Sequence, residues 1–528
     1  MKARDKKNDA GSSRPSLRDR LASLNKYVPP VFAFLYIAVL LYSIVFKIYK
    51  AHIAGIVYDE SFTCLHFGKD IYHSPTLEHP NFHVLTALFD QWSRHLFGSY
   101  EHYIRIPGMI FSTVFSVCTA FIVDRTVKSR PIKIALLTLI LFNPFVFNLS
   151  FLARGYSIAL AGIYIQLAFI VWLIDNRIKK RFRWAVIVMM AFTDFLTFGA
   201  MPSCIWVLFG TNLIFVLFYS GSVFEDKTGR LKSALINAIS IPVVSLIPLF
   251  LLYRENFSSI LSVRDEFGWK SSWFKYMTIL LRDKLIDPHN RTASIMHWLL
   301  VIVVCISVIV LLYRAAIAIK NKKLFSFSRL NDSGTFFIVT AAVVLVMYWF
   351  HRHVLNVSIG FPRNGVVLIP LSLIAAAIVI DRALRSLNKK PATCIVSTIT
   401  AAAMFIIAFA NLPSAHLINV YTWDFQSSAG PLLRKLKSID PDKTWVIALS
   451  QEGAWSLNLP LSYYRQFGYK YALSRDGKCD VVVFHNDKDK IPKMLYLEKQ
   501  YFDKFNCTVG VTQSVSNSDK VYLDAHVK

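Results

Sequence analysis

The sequence predicts an α-helical protein that crosses a membrane many times and carries a small α/β domain at its C-terminal end. Of the 528 residues, 54% are hydrophobic, and the mean hydropathy is +0.43. Soluble proteins do not reach such an average, because their helices each expose a polar face. Several apolar runs of about 18 to 22 residues are long enough to cross a bilayer. After residue 410 these runs stop and a more polar composition begins.

The charged residues indicate how the spans are oriented. The chain has 59 Lys and Arg against 33 Asp and Glu, a formal net charge of +26. The cations fall mainly in loops on alternate sides of the apolar runs, which is the positive-inside pattern. We therefore expect a multi-pass protein of a bacterial inner membrane or the endoplasmic reticulum, with a cytoplasmic N-terminus and an extracytoplasmic C-terminus. No basic groove with interleaved aromatic residues is visible, so the net charge does not indicate nucleic-acid binding.

The first two regions of the chain are a tail and a membrane domain. Residues 1–27 are basic and poor in apolar residues, which predicts a disordered cytoplasmic tail. Residues 28–410 are predicted to form the membrane domain, whose first span has no cleavage site and resembles an uncleaved signal anchor. About eleven spans are expected, at residues 31–49, 104–123, 132–150, 156–174, 184–201, 203–220, 233–252, 294–313, 335–350, 365–380 and 393–410. The two around Met201-Pro202 could instead form one re-entrant hairpin.

Other elements are predicted outside the spans. Residues 61–72 and 81–97 of the first outer loop place apolar side chains at helical spacing, which is typical of helices that lie flat in the interface. Residues 411–528 are predicted to form an extracytoplasmic α/β domain. Its expected elements are a helix at 428–437 and strands at 445–449 and 480–484.

An adjacent pair of acids, Asp59-Glu60, stands shortly after the first span. At the water–lipid boundary a carboxylate is partly desolvated, and it can accept a proton from a substrate hydroxyl. The alternative is an ordinary acidic interface pair that only ends the span. The rest of the chain has to decide between these interpretations.

Three other polar groups are predicted on the same side of the membrane. The segment from Glu78 to His83 holds two histidines four residues apart, which suit a metal site or a polar helix start that faces lipid headgroups. Arg154, at the outer end of a span, suits an anion such as lipid phosphate or the snorkelling position common for interfacial arginines. The cations before and including Arg363, among them Arg352, run against the charge bias of outer loops, which favours a functional role. The sequence requires no metal cofactor, and it leaves a divalent metal open.

A series of short motifs appears in a characteristic order. The motifs are Asp59-Glu60, His79-Pro80-Asn81-Phe82-His83-Val84-Leu85, Leu96-Phe97-Gly98-Ser99, Arg105-Ile106-Pro107-Gly108, Asn143-Pro144, Ala153-Arg154-Gly155-Tyr156-Ser157 and Arg363 through Pro370. This order resembles glycosyltransferase family 39, the dolichyl-phosphate-mannose–protein mannosyltransferase-like family, which includes the lipid A aminoarabinose transferase. The resemblance covers about residues 31–380.

The resemblance implies a GT-C membrane glycosyltransferase that takes a sugar from a polyprenyl-phosphate donor, undecaprenyl or dolichyl. It implies Asp59 as the catalytic base, with Glu60 supporting it or contacting the sugar. Arg154 and Arg363 are implied as ligands of the donor phosphate. The residues expected to bind substrate around them are His79, Asn81, His83, Tyr156 and Arg352. Leu152 stands where many relatives carry an acid, so no second acid is expected from that loop.

The acceptor is less defined by the resemblance. A glycan, a lipid or a protein would each supply a hydroxyl group, and inversion at the anomeric carbon is expected. The luminal repeat domain of the eukaryotic protein mannosyltransferases is missing, so a protein acceptor is not implied. Membrane lipids are expected partners in every case.

Two other classes of protein remain as alternatives. A secondary transporter or flippase would place polar groups and broken helices near the membrane midplane, and Asp194 within the fifth span is the residue that suits it. A non-catalytic scaffold would depend on the surface of its outer domain and not on Asp59. Replacing Asp59 by Asn distinguishes the enzyme from both.

Overall fold

The computed structural model describes most of the chain. The residues it describes are 17–67, 84–176, 182–219, 236, 239–240, 243, 273–285, 291–320, 332–354, 362–386, 390–410, 426–474, 479–485, 495–496 and 507–511. They form a large helical bundle and a smaller α/β domain that packs against one end of it.

The first half of the bundle consists of nine helices and a short turn. The helices are α1 (Leu17–Ile53), α2 (Tyr58–Phe67), α3 (Val84–Phe97), α4 (Glu101–Ile104), α5 (Ile106–Thr126), α6 (Arg130–Leu141), α7 (Pro144–Leu149), α8 (Gly155–Asn176) and α9 (Arg183–Ala200). A 3-10 turn at Pro202–Cys204 leads into the next helix. The two predicted amphipathic stretches are observed as α2 and α3, each shorter than expected.

The second half supplies the remaining described helices of the bundle. They are α10 (Ile205–Ile214), α11 (Trp273–Thr278), α12 (Arg291–Lys320), α13 (Ser333–His353), α14 (Leu368–Ser386) and α15 (Lys390–Ala410). The helices α10 and α11 continue as π-turns, at Phe215–Tyr219 and Ile279–Asp283, and a 3-10 turn at Pro362–Gly365 precedes α14. The core lies where α5 packs along α8, α8 along α9, and α15 along both α6 and α12.

The prediction of a multi-span helical membrane protein is confirmed. In the described part of the chain, seven helices are long and apolar enough to cross a membrane: Pro30–Ile53, Ile106–Thr126, Gly155–Asn176, Arg183–Ala200, Ser294–Tyr313, Ser333–His353 and Thr393–Ala410. Each coincides with one of the eleven predicted spans. Of the other four, 203–220 is observed as the shorter apolar helix Pro202–Leu217, and 365–380 as part of α14, which ends in charged residues. The predicted span at 233–252 lies mostly outside the described residues.

Two sequence predictions about the bundle were wrong. The predicted span 132–150 is two helices, because Asn143 caps a new helix by accepting a hydrogen bond from the Val146 amide at 2.9 Å. Pro144 then occupies the first turn of α7, where a missing N–H costs nothing. The predicted disordered tail, residues 1–27, is helical from Leu17 onward, because α1 begins there.

The C-terminal region folds as the predicted α/β domain. Its helices and strands are α16 (Ala429–Ile439), β1 (Trp445–Leu449), α17 (Gln451–Arg465), β2 (Tyr471–Leu473), β3 (Val481–His485), β4 (Leu495–Tyr496) and β5 (Cys507–Val511). The sheet order is β2-β1-β3-β5-β4, with the first three strands parallel and β5 antiparallel to its neighbours. The predicted helix and both predicted strands lie within two residues of the observed ones.

This domain packs directly on the connection between α1 and α2. The Tyr464 hydroxyl accepts a hydrogen bond from the Ile56 amide at 3.3 Å and donates one to Glu101 at 3.0 Å. A Cβ at Gly55 would collide with the backbone carbonyl of Ser427, so only glycine permits this approach. The start of α2 is therefore held from two sides, by the bundle and by the α/β domain.

Candidate active site

Asp59 and Glu60 both lie in the first turn of α2. The N-terminal end of a helix stabilises carboxylates, because its first N–H groups lack partners within the helix and its dipole is positive there. The two side chains nevertheless have different surroundings. The Glu60 side chain is fully buried, whereas the Asp59 side chain keeps 12% of its surface exposed.

Glu60 forms a fully buried ion pair with Arg105. The Arg105 guanidinium donates through Nε at 2.8 Å and through Nη2 at 2.6 Å to the two Glu60 carboxylate oxygens. Its remaining hydrogen bonds go to backbone carbonyls at the end of α1, those of Ala51 at 3.1 Å, Ala54 at 2.6 Å and Gly55 at 2.9 Å. All five N–H groups of the guanidinium are thus used.

The Glu60 carboxylate also holds two backbone amides. It accepts hydrogen bonds from the Ala153 amide at 2.8 Å and from the Val57 amide at 3.2 Å. It therefore connects the start of α2 to the loop that precedes α8. A carboxylate with four hydrogen bonds and no exposed surface is suited to support its neighbour, which is one of the two roles predicted for Glu60.

Arg105 was not predicted as a site residue, although its motif is one of those that carry the family resemblance. It stands directly before Ile106-Pro107-Gly108 at the start of a span on the predicted outer side. An arginine there runs against the positive-inside pattern, and this was the available signal. Its partner could not be found from the sequence, because Glu60 and Arg105 are 45 positions apart.

Asp59 faces two guanidinium groups from distant parts of the chain. Arg363, in the turn before α14, donates through Nη1 to Asp59 Oδ2 at 2.8 Å. Arg154, at the start of α8, has its Nη2 at 3.8 Å from the same oxygen. Arg154 Nη1 also donates to the Asp59 carbonyl at 3.3 Å and to the Thr63 hydroxyl at 2.9 Å. These contacts fix Arg154 against the first turn of α2.

Tyr156 completes this cluster. It is hydrogen-bonded to Arg154, which stands two residues earlier and directly before α8. Tyr156, followed by Asp59, raises the pKa of Arg363, and burial opposes this. Arg363 therefore stays charged although its side chain keeps only 20% of its surface exposed. Within the cluster formed by Asp59, Arg154, Tyr156 and Arg363, two cations face one carboxylate, and the excess of positive charge suits an anion.

Of the other predicted site residues, one lies in the described part of the chain and three lie outside it. Arg352 lies in the last turn of α13 and is partly buried. His79, Asn81 and His83 fall in the segment 68–83, outside the described residues. In the parts of the chain that the structure describes, no group of three or more His, Cys, Asp or Glu side chains could hold a metal ion. The alternatives for the segment from Glu78 to His83, a metal site or a polar helix start, fall outside the described residues.

Comparison with known proteins gives similarity at the level of solved structures only. No protein-family model and no curated protein matches the chain. ArnT from Cupriavidus metallidurans bound to undecaprenyl phosphate aligns with a TM-score of 0.48 and 12% identity, over 84% of this chain and 86% of that one. The oligosaccharyltransferase AglB from Archaeoglobus fulgidus, in complex with an inhibitory peptide and a dolichol-phosphate, aligns with a TM-score of 0.42 and 11% identity, over 83% of this chain and 64% of that one. With TM-scores below 0.5, neither similarity assigns an activity or a residue role to this chain.

Proposed function

We propose that the protein is a GT-C-type membrane glycosyltransferase that moves a sugar from a polyprenyl-phosphate donor to an acceptor hydroxyl. The observation that carries the proposal is the carboxylate of Asp59, 2.8 Å from a guanidinium nitrogen of Arg363 and 3.8 Å from one of Arg154. The order of the motifs along the chain independently predicts the same activity. Membership of glycosyltransferase family 39 is part of the proposal.

The two arginines bind the donor phosphate. Guanidinium groups form paired, charge-assisted hydrogen bonds to phosphate oxygens. Because one carboxylate balances only one of the two cations, a phosphate monoanion neutralises the excess. As the bond between the anomeric carbon and the phosphate oxygen breaks, negative charge grows on the leaving lipid phosphate, and both arginines stabilise it.

Asp59 accepts the proton of the acceptor hydroxyl. The acceptor oxygen forms a bond to the anomeric carbon from the face opposite the phosphate, so the configuration inverts. The phosphate leaves with the electron pair of the broken bond, and the hydroxyl proton moves to an Asp59 oxygen. Binding of the phosphate draws Arg363 away from Oδ2, which frees that oxygen for the proton. Glu60 and Arg105 hold the first turn of α2 in place during the reaction.

The site lies at one end of the bundle, where we expect lipid and water to meet. The helix α1 ends there, and α5 and α8 begin there. The positive-inside pattern predicts that this end lies outside the cytoplasm, which suits a lipid-linked donor and an acceptor on the periplasmic or luminal face. The α/β domain packs at the same end, beside the path that an acceptor would take.

The direct test is turnover by the purified full-length protein with a panel of polyprenyl-phosphate sugars, each with and without a chelator. We expect transfer from at least one donor, and loss of that transfer in Arg363→Gln. Lys133→Gln is the matched control, because Lys133 pairs with Asp124 at the other end of α5. The proposal fails if the wild-type protein transfers no sugar, or if Arg363→Gln transfers it at the wild-type rate.

The contacts of Asp194 argue against the secondary-transporter alternative. Asp194 is bonded on both oxygens, to Gln166 Nε2 at 2.8 Å and to Asn212 Nδ2 at 2.9 Å. These contacts join α8, α9 and α10 into one buried polar cluster. The Asp194 carboxylate therefore links three helices, a structural role that needs no transported proton or ion.

A further inference from the structure

A cavity of about 780 Å³ lies at the end of the bundle opposite Asp59. Its walls come from the C-terminal ends of α5, α8 and α14 and from the N-terminal end of α13. The helices α5 and α8 begin beside the candidate active site, and a helix of this length is about 30 Å long. The cavity is therefore a separate site, and by the positive-inside pattern it faces the cytoplasm. Its volume is within the range of small-molecule sites.

The wall of the cavity carries more cations than acids. The cationic side chains are Arg125, Lys128, Arg382 and Arg385, and the acidic ones are Asp175 and Asp332. Asp381, buried beneath the wall, pairs with Arg385 at 3.0 Å, so the four cations outnumber the three nearby acids by one. The N-terminal end of α13, a helix of 21 residues, also opens into it through Ser333 and Gly334, and its dipole favours negative charge.

Arg382 is held in place against the start of α13. Its Nη1 donates to the Thr335 hydroxyl at 2.8 Å, and its Nη2 pairs with Asp332. Asp332 in turn caps α13 by accepting a hydrogen bond from the Thr335 amide at 3.0 Å. A Cβ at Gly334 would come within 2.7 Å of the Arg382 guanidinium, so glycine lets that group lie over the helix end.

Arg385 and the loop after α5 are oriented by a buried acid beneath the wall. Asp381 is 1% exposed and accepts hydrogen bonds from Arg385 Nε at 3.1 Å and from the amides of Lys128 and Ser129 at 3.1 and 2.9 Å. The Arg385 side chain nevertheless keeps 50% of its surface exposed, and that of Arg125 keeps 48%. Arg385 is thus fixed from below and accessible from the cavity, whereas Arg125 pairs with Asp175 at 3.8 Å.

We propose that this cavity binds a phosphate-bearing anion. Arg382 and Arg385 are oriented in advance, and the N–H groups that they do not use with Asp332 and Asp381 can donate to phosphate oxygens. The end of α13 contributes backbone N–H groups, as helix ends do at phosphate sites. A neutral or cationic ligand would leave the excess of cations unbalanced. The headgroup of an anionic lipid and a soluble phosphate compound share this chemistry.

Binding is measured on the full-length protein in a neutral detergent, as the saturable rise in Tm with two probes. Sodium pyrophosphate represents a soluble phosphate, and short-chain phosphatidic acid represents a lipid headgroup, each at constant ionic strength. We expect at least one probe to raise Tm, and Arg385→Gln to weaken its binding roughly tenfold, the loss of about 1.4 kcal/mol of interaction. If Arg385→Gln unfolds, Lys128→Gln takes its place as the wall variant, because it changes an exposed side chain.

The control variants separate this cavity from the proposed active site. Lys133→Gln removes a cation at the same end of the bundle that is not on the wall, and it should bind as the wild type does. Arg363→Gln should keep the part of the Tm shift that Arg385→Gln weakens, because the Arg363 charge lies at the other end. The inference is overturned if neither probe binds, if the wall variants bind like Lys133→Gln, or if Arg363→Gln alone abolishes the shift. If just one of the two probes raises Tm, that result shows whether the cavity takes a soluble phosphate or a lipid headgroup.

Discussion

Replacing Glu60 by Gln removes one charge from a fully buried ion pair and leaves the shape of the side chain almost unchanged. Arg105 Nη2 lies 2.6 Å from Glu60 Oε2, and both side chains are 0% exposed. In the variant the Arg105 guanidinium keeps its charge without a carboxylate beside it. The new amide group also presents its own N–H donors where the carboxylate accepted hydrogen bonds. Breaking one side of a buried pair costs about 3–5 kcal/mol, because an uncompensated charge stays buried.

We expect Glu60→Gln to lower the stability by that amount, measured as thermal unfolding of the full-length protein in detergent. The matched control is Asp124→Asn, which changes an exposed acid whose surface ion pair is worth at most about 1 kcal/mol. In a double-mutant cycle, Glu60→Gln with Arg105→Gln should cost less than the sum of the single changes. The reasoning is refuted if Glu60→Gln keeps the wild-type Tm and yet abolishes sugar transfer, since Glu60 would then act in the chemistry.

Three further perturbations test other parts of the account. Gly55→Ala places a methyl group against the Ser427 carbonyl, so we expect a lower Tm and easier proteolysis between bundle and α/β domain. Arg154→Lys keeps the charge but loses the paired N–H groups before α8, so donor KM should rise roughly tenfold or more, and Tm should fall because the contacts to Asp59 and Thr63 weaken. Burial, followed by the charge of Glu60, raises the pKa of Asp90 well above its usual value. The unfolded chain releases that proton above about pH 4, so stability falls as the pH rises from there. Asp90→Asn should remove this part of the pH dependence, and a Tm–pH curve parallel to the wild type would contradict the assignment.

Much of the fold could be predicted, because long runs of apolar residues indicate directly which segments lie in lipid. Seven spans agreed in position, and the α/β domain was expected from short β-branched runs such as 481–483. The break at Asn143-Pro144 was missed because both neighbouring segments are apolar, and hydropathy does not record a helix cap. The start of α1 at Leu17 was missed because charged residues within a helix resemble a disordered tail in composition.

The candidate site was predictable only in part. Asp59, Arg154 and Arg363 each break a local pattern, as charges at the outer ends of spans do, and the structure brings them together. Their mutual distances could not be predicted, because they come from segments up to 304 positions apart. The sequence also could not predict the different surroundings of Asp59 and Glu60. Adjacent residues in the first turn of a helix point in different directions, and only the packing of Arg105 shows which one is enclosed.

Single-turnover sugar transfer by Asp59→Asn, with a bound polyprenyl-phosphate sugar, tests most directly whether Asp59 is the base. Asparagine keeps the size of the side chain but cannot take the hydroxyl proton, and loss of a general base costs about 10²–10⁴-fold in rate. We predict a loss of that size, with binding of the sugar-free lipid phosphate unchanged or tighter, because Arg154 and Arg363 no longer face a carboxylate. Transfer by Asp59→Asn at the wild-type rate would contradict the assignment of Asp59 as the base.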